Sequence, residues 1–418
     1  MSEGRTPLTL TASPVQHAPA GTAAWVAIVA AGVSAGLHLW KLPAALPLVQ
    51  AEMGFSLLFA GVLLGVFQGA GILAGLLVSF LSELIGQRRI LVAGLLFLVV
   101  GSVLGAVSTQ TGVLLVSRVL EGLGFILPAV VGPGLIRSHA PAASLNRAFG
   151  WWSSFQGIAI LTGLIGSAFF LQVASWQALW LLMAALSLVP VVLVVRFVPT
   201  DVHTGSRRAV PGLKRIGVTV RSGRVWIAGL VFACYTVQWT AVLGFLPTIY
   251  EQGGVEGVGP GVLTAVVGGM NAVGALATGG LMQRGVPARM LINLGFGLMA
   301  VTGVLTFALD WSWVSGGMSW QLLCIILFSC AGALVPTTLT RMAVELVPAG
   351  GSASATMGLM QQIFNIGNFA GPVAIAWLAT ATGGWSATWW MTSGFAALGI
   401  LLALALSERR LGLQLVQT

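Results

Sequence analysis

Charge is scarce in this chain. Only 7% of its 418 residues are Asp, Glu, Lys or Arg, against about 25% in soluble globular domains. A water-facing surface of ordinary composition cannot be assembled from so little. Cysteine is scarcer still: Cys234, Cys324 and Cys330 fall inside apolar runs without metal-ligand spacing, which reads as free, buried thiols. Catalytic constellations are missing as well. No Ser/His/Asp, Cys/His or paired-carboxylate set stands at working spacing, and no phosphate-cradling glycine loop follows a strand. Neither an enzyme nor a cofactor is expected, and without a nucleotide motif any work the chain performs would draw on a gradient.

What it has instead is apolar mass. Hydrophobic residues make up 57% of the sequence, with 56 Gly and 15 Trp, and the mean hydropathy is +0.97. That composition fits a polytopic membrane protein, where glycine lets helices approach closely. A formal net charge of +9 would suit a nucleic-acid partner, but the placement of the charge argues against one. Of 19 Lys and Arg, only Lys41 and Arg118 fall outside alternate loops, helix ends and the N-terminal tail, while the loops between carry Glu52, Glu251, Glu256 and Asp310. Basic loops mark the cytoplasmic side of a membrane protein.

About 20 apolar residues cross a ~30 Å hydrocarbon core. Twelve such runs are legible, at 23–46, 55–81, 90–108, 112–136, 148–171, 177–198, 224–248, 259–282, 290–309, 320–343, 353–378 and 386–406. The first is long and followed by further spans, so it reads as a membrane helix and not a cleaved signal. An even number of spans with basic ends predicts both termini in the cytoplasm, in an inner (cytoplasmic) membrane. The expected divisions are a tail at 1–22, a six-helix bundle at 23–198, a basic linker at 199–223, a second bundle at 224–406 and a tail at 407–418. The linker sets Arg207, Arg208, Lys214, Arg215 and Arg221 against Asp201 alone.

The two halves echo each other. Gly124 and Pro128 answer Gly332 and Pro336 at an offset of about 208, and Trp176 and Trp180 answer Trp385 and Trp389. Leu46 and Pro47 answer Leu246 and Pro247, and Gly65, Gln68 and Gly71 answer Gly268, Asn271 and Gly274. The fold class expected is an all-α protein of twelve transmembrane helices in two pseudo-repeated bundles.

With that topology in hand, the chain resembles the major facilitator superfamily of secondary transporters over essentially its whole length. The loop after the second span, with Glu83, Gly86, Arg88 and Arg89, resembles that family's glycine–acid–glycine–basic signature, although Ser79 and Leu84 stand where Gly and Arg are usual. The resemblance implies a gating loop, in which the acid pairs across to the other half and basic residues cap neighbouring helix ends. Arg118, Glu121, Gly122 and Gly124 match the family's fourth-helix signature. A Gly-x-x-x-Gly-Pro pattern typical of the drug/proton antiporter branch is absent from the fifth span and appears in the eleventh, at Gly367, Gly371 and Pro372. Its bland counterpart is close helix packing. Lys41, Pro43, Leu46 and Pro47 faintly resemble the first helix of cyanate/nitroimidazole-type porters.

Two charges three residues apart on a helix share a face. In hydrocarbon each costs roughly 2.5–3.5 kcal/mol, so intramembrane charges usually face a bundle interior or a water-filled cavity. At ~1.5 Å per residue, Arg118 and Lys41 fall at one depth, and Glu121 and His38 at a deeper one. Lys41 and Arg118 are therefore expected to bind an anionic group together, the guanidinium offering its planar fork. The bland alternatives are an Arg118–Glu121 ion pair along one helix, a Lys41 that snorkels to the headgroups, and a packing role for His38. Glu121 and His38 are the expected proton-coupling residues: an anion at Arg118 would loosen its hold on Glu121, which could then take up a proton.

The second half lacks intramembrane charge, since Ile326 and Ser329 stand where the repeat would place partners of Arg118 and Glu121. It offers Tyr235, Gln238 and Trp239 in the seventh span, Asn271 in the eighth, and Gln361, Gln362, Asn365 and Asn368 in the eleventh. Tyr235, Gln238, Asn271 and Gln361 join Lys41 and Arg118 as expected substrate contacts. The expected function is proton-coupled uptake of a small organic or inorganic anion by a monomer working through alternating access. The alternatives are a proton-coupled exporter of drugs or metabolites and, from another class, a non-transporting membrane sensor or scaffold.

Overall fold

The computed structural model describes residues 21–200, 209–311 and 314–414. Most of the expected N-terminal tail lies outside that set, as do Asp201, Arg207 and Arg208. The described residues form helices and connecting turns without a strand. The first half runs α1 (Thr22–Met53), α2 (Leu57–Ile85), α3 (Gln87–Ala106), α4 (Thr111–His139), α5 (Leu145–Phe170) and α6 (Trp176–Phe197). A short helix, α7 (Ala209–Val220), stands within the basic interval. The second half runs α8 (Gly223–Gln252), α9 (Gly259–Gln283), α10 (Ala288–Phe307), α11 (Gly317–Gly332), α12 (Leu334–Met342), α13 (Ala353–Thr382) and α14 (Thr388–Gln414).

Local chemistry sets the ends. Ser56, Ser175 and Ser352 accept the N–H of the residue three further on, at the starts of α2, α6 and α13, supplying acceptors to otherwise orphan donors. Gly54 and Gly383 close α1 and α13 at φ 68° and 74°, a conformation glycine adopts without steric cost. The tenth span is the exception to continuity: it breaks at Ala333 into α11 and α12, whereas α4 continues unbroken through Pro128, the repeat partner of Pro336. Eleven described segments are long and apolar enough to cross a membrane, α11 and α12 counting together. The 29-residue α2 supplies the twelfth pass.

The halves meet along the same seam twice. α2 lies against α13 and α5 against α9, with α1 touching α8 between them. By the repeat, α2 corresponds to α9 and α13 to α5. Glycines make the first seam tight: a Cβ on Gly61 or Gly65 would come within 2.5 Å of the carbonyl oxygen of Pro372 or Phe369. On the second, Gly261 faces Ala168 and Gly268 faces Ile160, while Gly157 and Ala272 are wider apart, at 3.7 Å from the built Cβ. One step further towards the face that carries the basic loops, Gly150 and Gly279 meet nothing within 4 Å, and Leu276 is 79% exposed. The halves are joined at the opposite face and part towards the basic one.

Candidate functional site

Inside the first half, α1, α3, α4 and α6 enclose a group of polar side chains that are all fully buried. Glycine makes the room. Gly101 on α3 faces Glu121, where an added Cβ would lie 2.9 Å from its Cγ, and Gly105 faces the indole of Trp180. Glu121 then sits between two cations. Its Oε2 accepts from Arg118 Nη1 at 2.5 Å, and its Oε1 accepts from Lys41 Nζ in a very close ion pair. Lys41 also donates to Ser102 Oγ at 2.6 Å and lies 4.5 Å from the Trp180 ring centroid. Arg118 donates to the His38 carbonyl at 2.9 Å and lies over Phe67 at 4.6 Å.

His38 completes the group. Its Nδ1 is 3.3 Å from Lys41 Nζ and 3.4 Å from Glu121 Oε1, and its Nε2 is 2.8 Å from Ser187 Oγ, which in turn meets Ser34 Oγ at 2.8 Å. The two depths expected from backbone spacing are thus one cluster, because a lysine side chain spans a helical turn. The Arg118–Glu121 pair along α4 exists, and Lys41 points inward to the same carboxylate instead of snorkelling.

The inventory is unbalanced. With His38 neutral, two cations share one carboxylate, and Arg118 Nε and Nη2 are buried without a hydrogen-bond partner. Spacing gave no access to Ser102, Trp180, Ser187 or Phe67, which come from three other helices. The signal available was serine placed mid-span in apolar helices.

The second half supplies a neutral group. Asn271 donates to Tyr235 Oη at 3.1 Å and to the Ser329 carbonyl at 2.8 Å, and Trp239 donates to Ser329 Oγ at 3.0 Å. Tyr235 stacks on Trp239, whose ring meets Trp40 of α1 edge-on, with centroids 5.9 Å apart. Trp40 precedes Lys41, so the aromatic contact joins the neutral group to the helix that bears the charged one. Gln238 is separate: fully buried, it donates to the Cys234 carbonyl one turn back. Gln361 is half-buried on α13.

Of the expected gating loop, Gly86 adopts φ 96° between α2 and α3, and Arg88 donates to the Val195 carbonyl in the last turn of α6 at 2.7 Å. Arg89 is exposed, and the Glu83 side chain lies outside the described set. Gly367 and Gly371 pack α13 against Ala233, Thr236 and Val237 of α8.

Residues 24–363 match the profile of the Major Facilitator Superfamily. The chain belongs to that family. Among relatives of this superfamily member, the uncharacterized transporter YebQ of Escherichia coli (strain K12) is 29% identical over 167 residues, which is 40% of this chain and 36% of that protein. The chloramphenicol resistance protein of Streptomyces lividans is 25% identical across 91% of this chain and 93% of that one. The multidrug transporter MdfA of Edwardsiella ictaluri is 25% identical, covering 80% of each. A crystal structure of a bacterial homolog of the human lysosomal transporter Spinster, in an inward-facing and occupied conformation, superposes with a TM-score of 0.72. It shares 14% identity and covers 92% of this chain and 96% of that one. The expected twelve-helix, two-bundle fold is that of the superfamily, and this member is a multi-pass membrane transporter of small molecules, not an enzyme.

Proposed function

We propose that this transporter takes up a small organic or inorganic anion together with protons. The observation that carries this is the unbalanced cluster: a buried formal charge of +1 with two guanidinium nitrogens of Arg118, Nε and Nη2, unpartnered. Uncompensated buried charge is costly, and an anion at the free edge of Arg118 would neutralise it while satisfying those donors. Its arrival would compete with Glu121 for the guanidinium, leaving the carboxylate free to take a proton, with His38 adjacent to receive or pass it. Substrate and proton together then favour the change of access. Tyr235, Asn271, Gln238 and Gln361 are the neutral contacts assigned to the other half, and Lys41 shares the anion with Arg118.

By the positive-inside rule the basic face is cytoplasmic, which makes the described conformation inward-facing and puts both termini in the cytoplasm of an inner-membrane protein. The chain divides at 199–223 into its two moving halves and works as a monomer. The loop of Glu83, Gly86, Arg88 and Arg89 steadies one access state.

A second reading, proton-coupled export of drugs or metabolites, is favoured by the names of the multidrug and chloramphenicol-resistance relatives. Proteoliposome uptake over an anion panel under an imposed pH gradient separates the two. Anion accumulation driven by an inward proton gradient, reduced at least tenfold in Arg118→Gln and Lys41→Gln, is expected. In Glu121→Gln, exchange should survive and proton-driven accumulation should not. If both cation variants match wild type in rate and apparent affinity, the anion site is wrong. Efflux of a lipophilic cation with no anion uptake selects the exporter.

A further inference from the structure

We propose that α7 and the first turn of α8 form a docking surface for the headgroups of anionic phospholipids, and that its occupancy biases the movement of α13. From Val202 to Tyr250 the chain carries no acid. Lys214 and Arg215 on α7 and Arg221 in the following turn are exposed, and Arg224 opens α8 half-buried, with its Nε buried and unpartnered. Among the described residues no acid forms an ion pair with any of the four. Four cations within eleven residues, without an ion pair to an acid among the described residues, attract anionic headgroups by about fivefold in binding per residue.

The surroundings favour a lipid over a free phosphate. Ile216 and Val218 of α7 are half-buried, and Trp226, 42% exposed, donates its indole N–H to the Val220 carbonyl at 2.8 Å. An amphipathic helix with flanking basic side chains and an interfacial Trp is suited to the headgroup boundary.

The link to movement is the packing of α7 against α13. Thr219 Oγ1, near the end of α7, accepts the Ser352 N–H at 3.1 Å, and Ser352 is the residue whose side chain caps α13. α13 lines the α2 seam between the halves. Holding α7 in the plane of the membrane therefore holds one end of a seam helix.

Fluorescence quenching in nanodiscs tests the docking. Brominated phosphatidylglycerol is expected to quench at least fivefold more effectively than brominated phosphatidylcholine at low mole fraction. That excess should vanish in Trp226→Phe and in the Lys214→Gln/Arg215→Gln/Arg221→Gln/Arg224→Gln variant. Arg221→Gln alone should lower it in part, which keeps the test available if the fourfold variant unfolds. Equal quenching by the two lipids, or an excess unchanged in Arg221→Gln, overturns the proposal. Displacement of the brominated lipid by millimolar inorganic phosphate would also overturn it, as the mark of a soluble-anion site. For the bias, an impermeant maleimide should label Leu276→Cys at a rate that changes at least twofold with phosphatidylglycerol fraction, and does so less in Arg221→Gln. A rate independent of lipid refutes the bias.

Discussion

Removing the carboxylate from the buried cluster and removing the lysine are opposite electrostatic changes. Glu121→Gln raises the formal charge of the enclosed group from +1 to +2, whereas Lys41→Met lowers it to zero. Glu121 attracts both cations, and at an effective dielectric of about 20 and a charge-centre separation taken as about 4 Å each attraction is worth roughly 4 kcal/mol, about 8 kcal/mol in all. Relief from desolvating the carboxylate returns several kcal/mol of that. The net expected destabilisation is about 3–5 kcal/mol, in the range found when one partner of a buried pair is removed. In Lys41→Met one such attraction is lost, but the lysine's desolvation and its repulsion from Arg118 go with it, and methionine keeps the apolar stem against Trp180. The expected cost is about 1 kcal/mol or less. Thermal unfolding in detergent, read by a thiol-reactive dye that reaches the buried Cys234 and Cys324 on unfolding, compares the two. At about 2 °C per kcal/mol for large domains, Glu121→Gln should melt roughly 6–10 °C below wild type and Lys41→Met within a few degrees of it. Coincident melting of Glu121→Gln and wild type, or a lower melting point for Lys41→Met than for Glu121→Gln, would refute the charge argument.

Other changes follow from the same geometry. Gly101→Ala pushes a Cβ into Glu121 Cγ and should cost about 1–3 kcal/mol; Gly150→Ala, which meets nothing within 4 Å, should be neutral or gain up to ~1 kcal/mol of helix propensity. Paired melting curves check the contrast. In the α2–α13 seam, Gly65→Leu would collide with the Phe369 carbonyl and should hold the halves apart at the face opposite the basic loops. Faster labelling of an engineered Gly244→Cys by an added thiol reagent would report this, and unchanged labelling would count against the seam. Trp239→Phe keeps the ring contacts with Trp40 and Tyr235 and loses one hydrogen bond, at about 1 kcal/mol, while Trp239→Ala should cost about 3–5 kcal/mol. Equal losses would mean the ring contact between the halves contributes nothing.

The helices were legible because a membrane leaves few alternatives: a span must be apolar, about twenty residues long and internally hydrogen-bonded. Spacing along α4 also put Arg118 and Glu121 on one face, where they are found paired. The break at Ala333 was not legible, since the tenth run stays apolar across it and Pro336 has an unbroken counterpart in α4. Nor was α7, whose short amphipathic run lies in an interval that hydropathy marks only as polar. Depth counted along backbones separated Lys41 from Glu121, and the length of the lysine side chain cancels that separation. Ser102, Trp180 and Ser187 were missed for a different reason. Their roles depend on which helices become neighbours in space, and neither period nor composition encodes that.

The one-sidedness of the buried charge has an electrical consequence. In the second half the charged residues stand in the loops, in the end turns of α8, α10 and α12 and, on α14, at Glu408, Arg409 and Arg410 near its C-terminal end, while the first half encloses a formal +1. A voltage across the bilayer exerts about 2.3 kcal/mol on an elementary charge carried through 100 mV, so each tenth of the field that the cluster traverses is worth about 0.2 kcal/mol. Voltage would therefore be felt most when the cluster moves empty, and less once an anion cancels its charge. The potential pulls on one half and leaves its twin alone.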